Sequence, residues 1–478
     1  MNVSVIRYIL GWVVLLEGAL FSLPTAVAVI YQESAGMTFL QVMILCMSAG
    51  VLLVIKKPKN TEFFAKEGFV VTAVSWILLS IIGALPFYLC GEIPSFVNAL
   101  FETISGFTTT GATILHDVEA LSHCTLFWRS FTHWIGGMGV LVFLLAILPM
   151  ASGNNMHIMR AESPGPSIGK LVPRVRDTAW ILYRIYIAIT LAEIVILFIS
   201  GMPLFDAITT SFGTAGTGGF GIKNSSIADY TMFQQTTVSI FMILFGINFM
   251  VYFLIISKKI KQAVKFEEMK WYLLIIALAT LIISLDIRGH FASLFEAFHH
   301  ALFQVASIIT TTGFATCDFN LWSSTSKSIL VLLMFIGACA GSTGGGIKVS
   351  RIVIMLKTVK KELEYYIHPR TVKKVYMEGR AVEHEVLRSV NIFFISFILI
   401  FIASVLLLSL DNLDLTTNFT AVAATLNNVG PGLELVGPTQ NFDQFSVLSK
   451  FVMMFDMLAG RLEIFPLMIL VSPYTWRR

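Results

Sequence analysis

Four times along this chain a short amphipathic segment ends in a turn rich in small polar residues and glycine. Each time, an apolar stretch of membrane length lies on either side. The turns read Thr108-Thr109-Thr110-Gly111-Ala112, Ala215-Gly216-Thr217-Gly218-Gly219, Thr310-Thr311-Thr312-Gly313-Phe314 and Asn427-Asn428-Val429-Gly430-Pro431. Taking Gly111, Gly218, Gly313 and Gly430 as counterparts, the spacings are 107, 95 and 117 residues. A repeat of this kind outranks any single motif in deciding a fold. Four hairpins from one chain can surround one axis, each adding one glycine-bearing turn to a common ring. A lone turn of this type is a tight connection between helices; four at matching places in four hairpins ask for a shared purpose.

Composition places the ring in a membrane. Of 478 residues, 56% are hydrophobic and 13% charged, and the mean hydropathy is +0.79, against about 25% charged residues in a soluble domain. The net charge of +4 gives no reason to expect a nucleic-acid partner. A bilayer core takes about 20 apolar residues per helix, which predicts ten full spans. Ile6–Ile30 and Phe39–Ile55 precede the repeats, and no leader cleavage site closes the first run. The repeats pair Phe69–Cys90 with Cys124–Met150, Thr178–Ser200 with Met232–Ile256, Trp271–Ile287 with Ser328–Lys357, and Ser389–Leu410 with Ser446–Val471.

Between the members of each pair lie Ser95–Thr108, Leu204–Thr214, Ser293–Thr310 and Thr416–Leu426, too short to cross and too apolar for solvent. Irregular backbone at membrane depth survives only inside protein or beside water, so these are re-entrant half-helices. The predicted fold is therefore an all-α polytopic membrane protein: four repeated hairpins around one central pore, plus two extra N-terminal spans. The divisions are 1–66, 67–155, 174–262, 268–360, a linker 361–388, and 389–478.

Lysine and arginine concentrate in 1–7, 55–68, 151–176, 257–270, 348–388 and the C-terminus, which hold 26 of the 33. Arg129, Lys223, Arg288, Lys327 and Lys450 fall in the opposite segments, and Arg184 and Arg461 within spans. The positive-inside bias puts both termini in the cytoplasm and the four turns near the outer face.

Rings of backbone carbonyls can replace the hydration shell of a potassium ion. Glycine permits the positive φ that turns successive carbonyls inward, and each half-helix aims its partial negative C-terminus at the same place. The expected ion-binding residues are Thr109, Thr110, Gly111, Thr217, Gly218, Thr311, Thr312, Gly313, Asn428, Val429 and Gly430. Such turns are short, so potassium is preferred over sodium without strict exclusion. The third repeat's second helix carries Gly337, Gly341, Ser342, Thr343, Gly344, Gly345 and Gly346. Glycine costs roughly 1 kcal/mol against alanine in a helix, so this stretch unwinds into a small polar loop at 337–347, below the turns and fit to gate them. Close helix packing is the alternative, but three consecutive glycines do not follow a packing period. Arg461, costly inside a span, should face the pore or an acidic partner. Glu463 is badly placed for that, two residues along one helix.

These stretches resemble the Trk/Ktr/HKT superfamily of potassium transport proteins, and within it the TrkH/TrkG type. The resemblance runs through essentially the whole chain. It is carried by Phe101-Glu102-Thr103 through Thr113, Gly136-Gly137-Met138-Gly139, Ala340 through Gly346, His368-Pro369-Arg370, Ala421 through Asn428, and Gly460-Arg461-Leu462-Glu463-Ile464-Phe465. It implies one filter glycine per repeat, an intramembrane gate at the glycine-rich loop, and Arg461 near the permeation path. Four glycines, with no serine at the first position, imply potassium. It also implies a homodimer in a prokaryotic inner membrane, seated on a TrkA-type ring with nucleotide-binding regulatory domains. Segment 348–388, with ten Lys/Arg among acidic residues, is then a docking surface; otherwise it is a basic loop lying on the lipid bilayer.

Other chemistry finds little support. Gly216 to Gly221 matches a dinucleotide-loop pattern but lacks the strand–turn–helix context, and Lys348 comes one residue late for a phosphate loop. No organic cofactor is expected on this chain. The five cysteines form no CxxC pair and read as small buried residues. His133, His157 and His299-His300 show no metal spacing. A membrane enzyme would need a nucleophile–base or metal set that the sequence does not offer. A secondary carrier coupling potassium to protons or sodium is the main rival, and it expects ionisable residues at a midplane site.

Overall fold

The computed structural model describes residues 1–59, 64–139, 175–370 and 373–476. His157, the basic segment 151–174 and the end of the span expected to reach Met150 lie outside the described residues. Among the described residues the fold is helical, with one two-stranded hairpin.

The N-terminal pair comprises α1 (Val3–Leu20), α2 (Ser22–Tyr31), which continues α1, and α3 (Gly36–Val54). α1 and α3 meet through glycines: a Cβ on Gly11 would lie 2.7 Å from Val54, and one on Gly50 2.6 Å from Leu15. Small residues let backbones approach where lipid offers no hydrophobic drive between helices.

The first helices of the four repeats are α4 (Ala65–Leu89), α7 (Val175–Ile199), α12 (Glu267–Asp286) and α16 (His384–Leu408). The half-helices are α5 (Phe96–Phe107), α8 (Leu204–Gly216), α13 (Leu294–Ile309) and α17 (Leu415–Leu426), within two residues of expectation. Ser95, Ser293 and Asp414 accept from the N3 amides of Asn98, Glu296 and Thr417, and Pro203 precedes α8. Such caps contribute about 1 kcal/mol each. The second helices α6 (His123–Met138), α9 (Met232–Phe245), α14 (Ser324–Ile336) and α18 (Val447–Arg461) begin after Ser122, Thr231, Ser323 and Ser446, all extended at the N-cap. The repeat is thus visible at the level of single caps.

The second helices depart from the expectation of ten full spans. Six described helices are long and apolar enough to cross alone. α6 stops at Gly139, where φ is 81°. α9 breaks at Gly246–Asn248 and α10 (Phe249–Ile256) leaves at 89°. A short helix α11 (Ile260–Val264) follows it. α14 ends at Ile336, and α15 (Val349–Ile367) begins after the predicted loop. α18 ends at Arg461, and α19 (Phe465–Val471) follows two non-glycine residues at positive φ, Glu463 (55°) and Ile464 (71°). Only the third break was expected. Glycine announces that one, whereas the fourth combines a local bond, Ile464 N donating to Ala459 O at 2.7 Å, with a tertiary contact, Glu463 pairing with Arg351 at 2.6 Å. After α15 come β1 (Tyr376–Met377) and β2 (Arg380–Ala381), antiparallel, and a short α20 (Pro473–Trp476) ends the described chain.

Candidate ion pathway

All four turns have one backbone geometry. Thr109, Thr217, Thr311 and Asn428 sit at φ 57, 53, 58 and 57°. The next residue then donates its amide five residues back: Thr110 to Ser105, Gly218 to Gly213, Thr312 to Ser307 and Val429 to Ala424, at 2.8–2.9 Å. The residue after that is a glycine at positive φ in every turn: Gly111 (79°), Gly219 (74°), Gly313 (87°) and Gly430 (98°). This register corrects the expected second glycine. Gly219 is the counterpart of the other three, and Gly218 stands where the other turns have Thr110, Thr312 and Val429. The sequence offered adjacent glycines, and only φ separates them.

The turns form a closed ring. A Cβ on Gly111 would lie 2.0 Å from the Gly218 carbonyl, on Gly219 1.9 Å from that of Thr312, on Gly313 2.3 Å from that of Val429, and on Gly430 2.9 Å from that of Thr110. Each turn abuts the next, and the fourth returns to the first. Asn428 reinforces that closure, its Nδ2 donating to Thr110 Oγ1 at 2.9 Å and to Met457 O at 2.8 Å.

The glycine-rich loop is packed against this ring. Gly345 N donates to Thr311 Oγ1 at 2.6 Å, and Gly346 N to Asn427 O at 3.0 Å. Lys348, buried and at φ 85°, donates from Nζ to Gly344 O and closes the loop on itself. The break in the second repeat lies alongside, with Cys339 N donating to Gly246 O at 3.1 Å and Phe249 N to Gly341 O at 3.0 Å. Arg461 reaches carbonyls: Nη1 donates to Thr343 O at 2.9 Å, and Nη2 to Gly137 O at 2.8 Å and to Gly136 O. It joins the loop to the end of α6. Glu463 pairs with Arg351 at 2.6 Å.

This arrangement meets its relatives along its full length. The family model of TrkH, a cation transport protein, matches residues 35–476. The chain belongs to the TrkH family. It is 36% identical to the Trk system potassium uptake protein TrkH of Escherichia coli K12 over 485 residues, covering 100% of both chains. It is 35% identical to TrkG of the same organism over 484 residues, covering 100% of this chain and 99% of that one. The crystal structure of the potassium transporter TrkH from Vibrio parahaemolyticus superposes with a TM-score of 0.90 at 34% identity, with both chains fully covered.

Within this TrkH-family fold, turns 1 and 2 are held by side chains that sequence reading left out. Arg129, one of the charges in the outer segments, lies buried on α6, its Nε 2.6 Å from Glu102 Oε1. Glu102 also accepts from Thr113 Oγ1 at 2.9 Å and Ile114 N at 3.1 Å. Arg129 Nη1 donates to Gly221 O at 2.8 Å, and its guanidinium lies 3.6 Å over the Phe220 ring. One ion pair therefore spans the exits of both turns. His133 adds a second link. Phe220 N donates to its Nε2 at 3.2 Å, so Nε2 accepts, and Nδ1–H donates to Gly106 O at 2.8 Å. The available signal was an arginine inside an apolar helix, rarely placed there without a partner.

Buried carboxylates were also missed. Glu17, Glu193 and Asp456 are each at most 1% exposed, away from the four turns in sequence, and Asp456 Oδ1 accepts from Ser404 at 2.8 Å. His299 and His300 hydrogen-bond to Gln235 and Thr316, and Cys46, Cys124 and Cys339 are buried. Among the described residues no group of three or more His, Cys, Asp or Glu is placed to hold a metal.

Proposed function

We propose that this chain is the transmembrane subunit of a Trk potassium uptake system and works as a gated, potassium-preferring pore. The observation that carries this reading is the closed ring of four turns in one register, each at the C-terminal end of a half-helix. Backbone carbonyls of Thr109, Thr110, Gly111, Thr217, Gly218, Gly219, Thr311, Thr312, Gly313, Asn428, Val429 and Gly430 are the ion ligands in this reading. Four converging half-helix ends add partial negative charge, which favours a cation stripped of water. The transported ion is potassium, as in the names of the relatives.

The loop 337–347 is the gate and Arg461 its electrostatic anchor. The loop's hydrogen bonds to Thr311 and Asn427 support this role: in this reading they hold the closed state, and opening requires them to break. The protein works as a homodimer in the inner membrane with both termini cytoplasmic. Segment 348–388 receives a TrkA-type regulatory ring, and any nucleotide dependence belongs to that partner.

The buried carboxylates give the carrier reading one specific observation, because proton coupling needs a titratable group at membrane depth. None of them belongs to the turns. Purified protein in liposomes decides between the two. Voltage-driven potassium flux ahead of sodium, indifferent to a pH gradient, supports the pore. Uphill potassium movement driven by a proton or sodium gradient overturns it.

A further inference from the structure

We infer that Glu268 is the latch of the glycine-rich loop and that Glu378, on the small β-hairpin, sets that latch. The inference rests on reading the loop as a gate.

Glu268 is the second residue of α12 and is 3% exposed. Its Oε1 accepts two amides, Ala340 N at 2.7 Å and Ser350 N at 3.0 Å. One belongs to the loop and the other to the first turn of α15, so one carboxylate oxygen pins both sides of the unwound segment. These contacts are separate from the loop's bonds to Thr311 and Asn427, which use Gly345 and Gly346.

The same residue is held through its backbone by the hairpin. α12 has Phe266 at its N-cap, which supplies no side-chain hydrogen bond. Glu378 fills that role from 110 residues away: its Oε2 accepts from Glu267 N at 2.9 Å and its Oε1 from Glu268 N at 3.0 Å. A carboxylate at a helix N-terminus satisfies orphan amides and meets the positive end of the helix dipole. Glu378 and Gly379 form the two-residue connection between β1 and β2, both at positive φ (51° and 74°), the geometry of a tight hairpin. Lys357 steadies the hairpin from α15, donating to Tyr376 O at 2.8 Å and to Glu267 Oε1.

The chain of contacts runs from an exposed hairpin tip, through the first turn of α12, to the loop. Lifting the hairpin removes the cap and frays the first turn. Glu268 then swings away and leaves the amides of Ala340 and Ser350 unpaired. A regulator gripping the hairpin gains access to the loop without touching it.

Hydrogen–deuterium exchange on the full chain in nanodiscs tests this. Glu378→Ala, at an exposed position, is expected to speed exchange across 338–350 by roughly tenfold, the scale of a lost cap. Glu378→Gln, which keeps one acceptor, gives a smaller rise. Glu268→Ala produces the full rise by itself, and adding Glu378→Ala changes it little. Exchange in α1 stays at the wild-type rate. Unchanged exchange at 338–350 in Glu378→Ala, or a rise shared equally by α1, overturns the linkage. Potassium flux through the same variants reconstituted in liposomes separates the two readings: faster loop exchange with unaltered flux keeps the linkage and sinks the gate.

Discussion

Turns 1 and 2 share their backbone with turns 3 and 4 but rest on different supports. The first pair is clamped by α6, through the Arg129–Glu102 ion pair and the two hydrogen bonds of His133. The second pair is met by the glycine-rich loop, through Thr311 and Asn427. The contrast is sharpest at one residue type. The hydroxyl of Thr311 accepts from the loop, whereas that of its counterpart Thr109 is buried with no hydrogen-bond partner among the described residues. Under the gate reading, turns of one backbone geometry are fixed on one side of the ring and conditional on the other.

Substitutions can break this comparison. The largest effect is expected at the ring glycines. Gly219→Ser should abolish potassium preference as completely as Gly313→Ser, because either Cβ collides with a neighbouring carbonyl. Relative potassium and sodium flux reads this, and an intact preference in Gly219→Ser would refute the register assigned to turn 2. Next comes the static pair. Arg129→Ala leaves Glu102 buried and uncompensated, costing roughly 3–5 kcal/mol, seen as lowered thermal stability in detergent. Arg461→Ala releases the loop from α6 and is expected to raise basal flux several-fold, with stability falling less than in Arg129→Ala.

Thr311→Val and Thr109→Val form a matched pair. The first strands the Gly345 amide, at roughly 1–3 kcal/mol, and raises basal flux; the second is close to neutral. Equal behaviour of the two would erase the distinction between fixed and conditional turns. The smallest effect involves pH. Burial works to raise the pKa of Asp443, but hydrogen bonds from Lys450, His116 and Asn98 outweigh it and hold the value down. A lowered folded value means the stabilisation is fully present above the ordinary aspartate value of about 3.9. It is lost as pH falls below that through the folded value. Asp443→Asn should flatten that acid limb slightly in a thermal-melt series.

The half-helices and turns were legible because their signals are local: a cap, an apolar face, a glycine. The loop at 337–347 was legible because glycine is costly in a helix wherever it occurs. What stayed hidden depends on neighbours. Gly218 and Gly219 are chemically identical, and only the ring tells which one meets Thr312. The break at Glu463–Ile464 uses residues that disfavour positive φ, so the surrounding contacts choose it. Arg129 and Glu102 are 27 residues apart on separate helices, and Glu268 meets Glu378 across 110. No periodicity joins such pairs, yet they decide which side chains support each turn and the loop.

The ring is assembled from four unequal quarters of one polypeptide, and this has a genetic consequence. In a pore built from four copies of one subunit, a single codon change is felt at every quadrant at once. Here it is felt at one. Thr110, Gly218, Thr312 and Val429 already occupy the same station with three different side-chain types. Heritable variation can therefore adjust such a pore in quarter steps, testing one wall while the other three hold their shape.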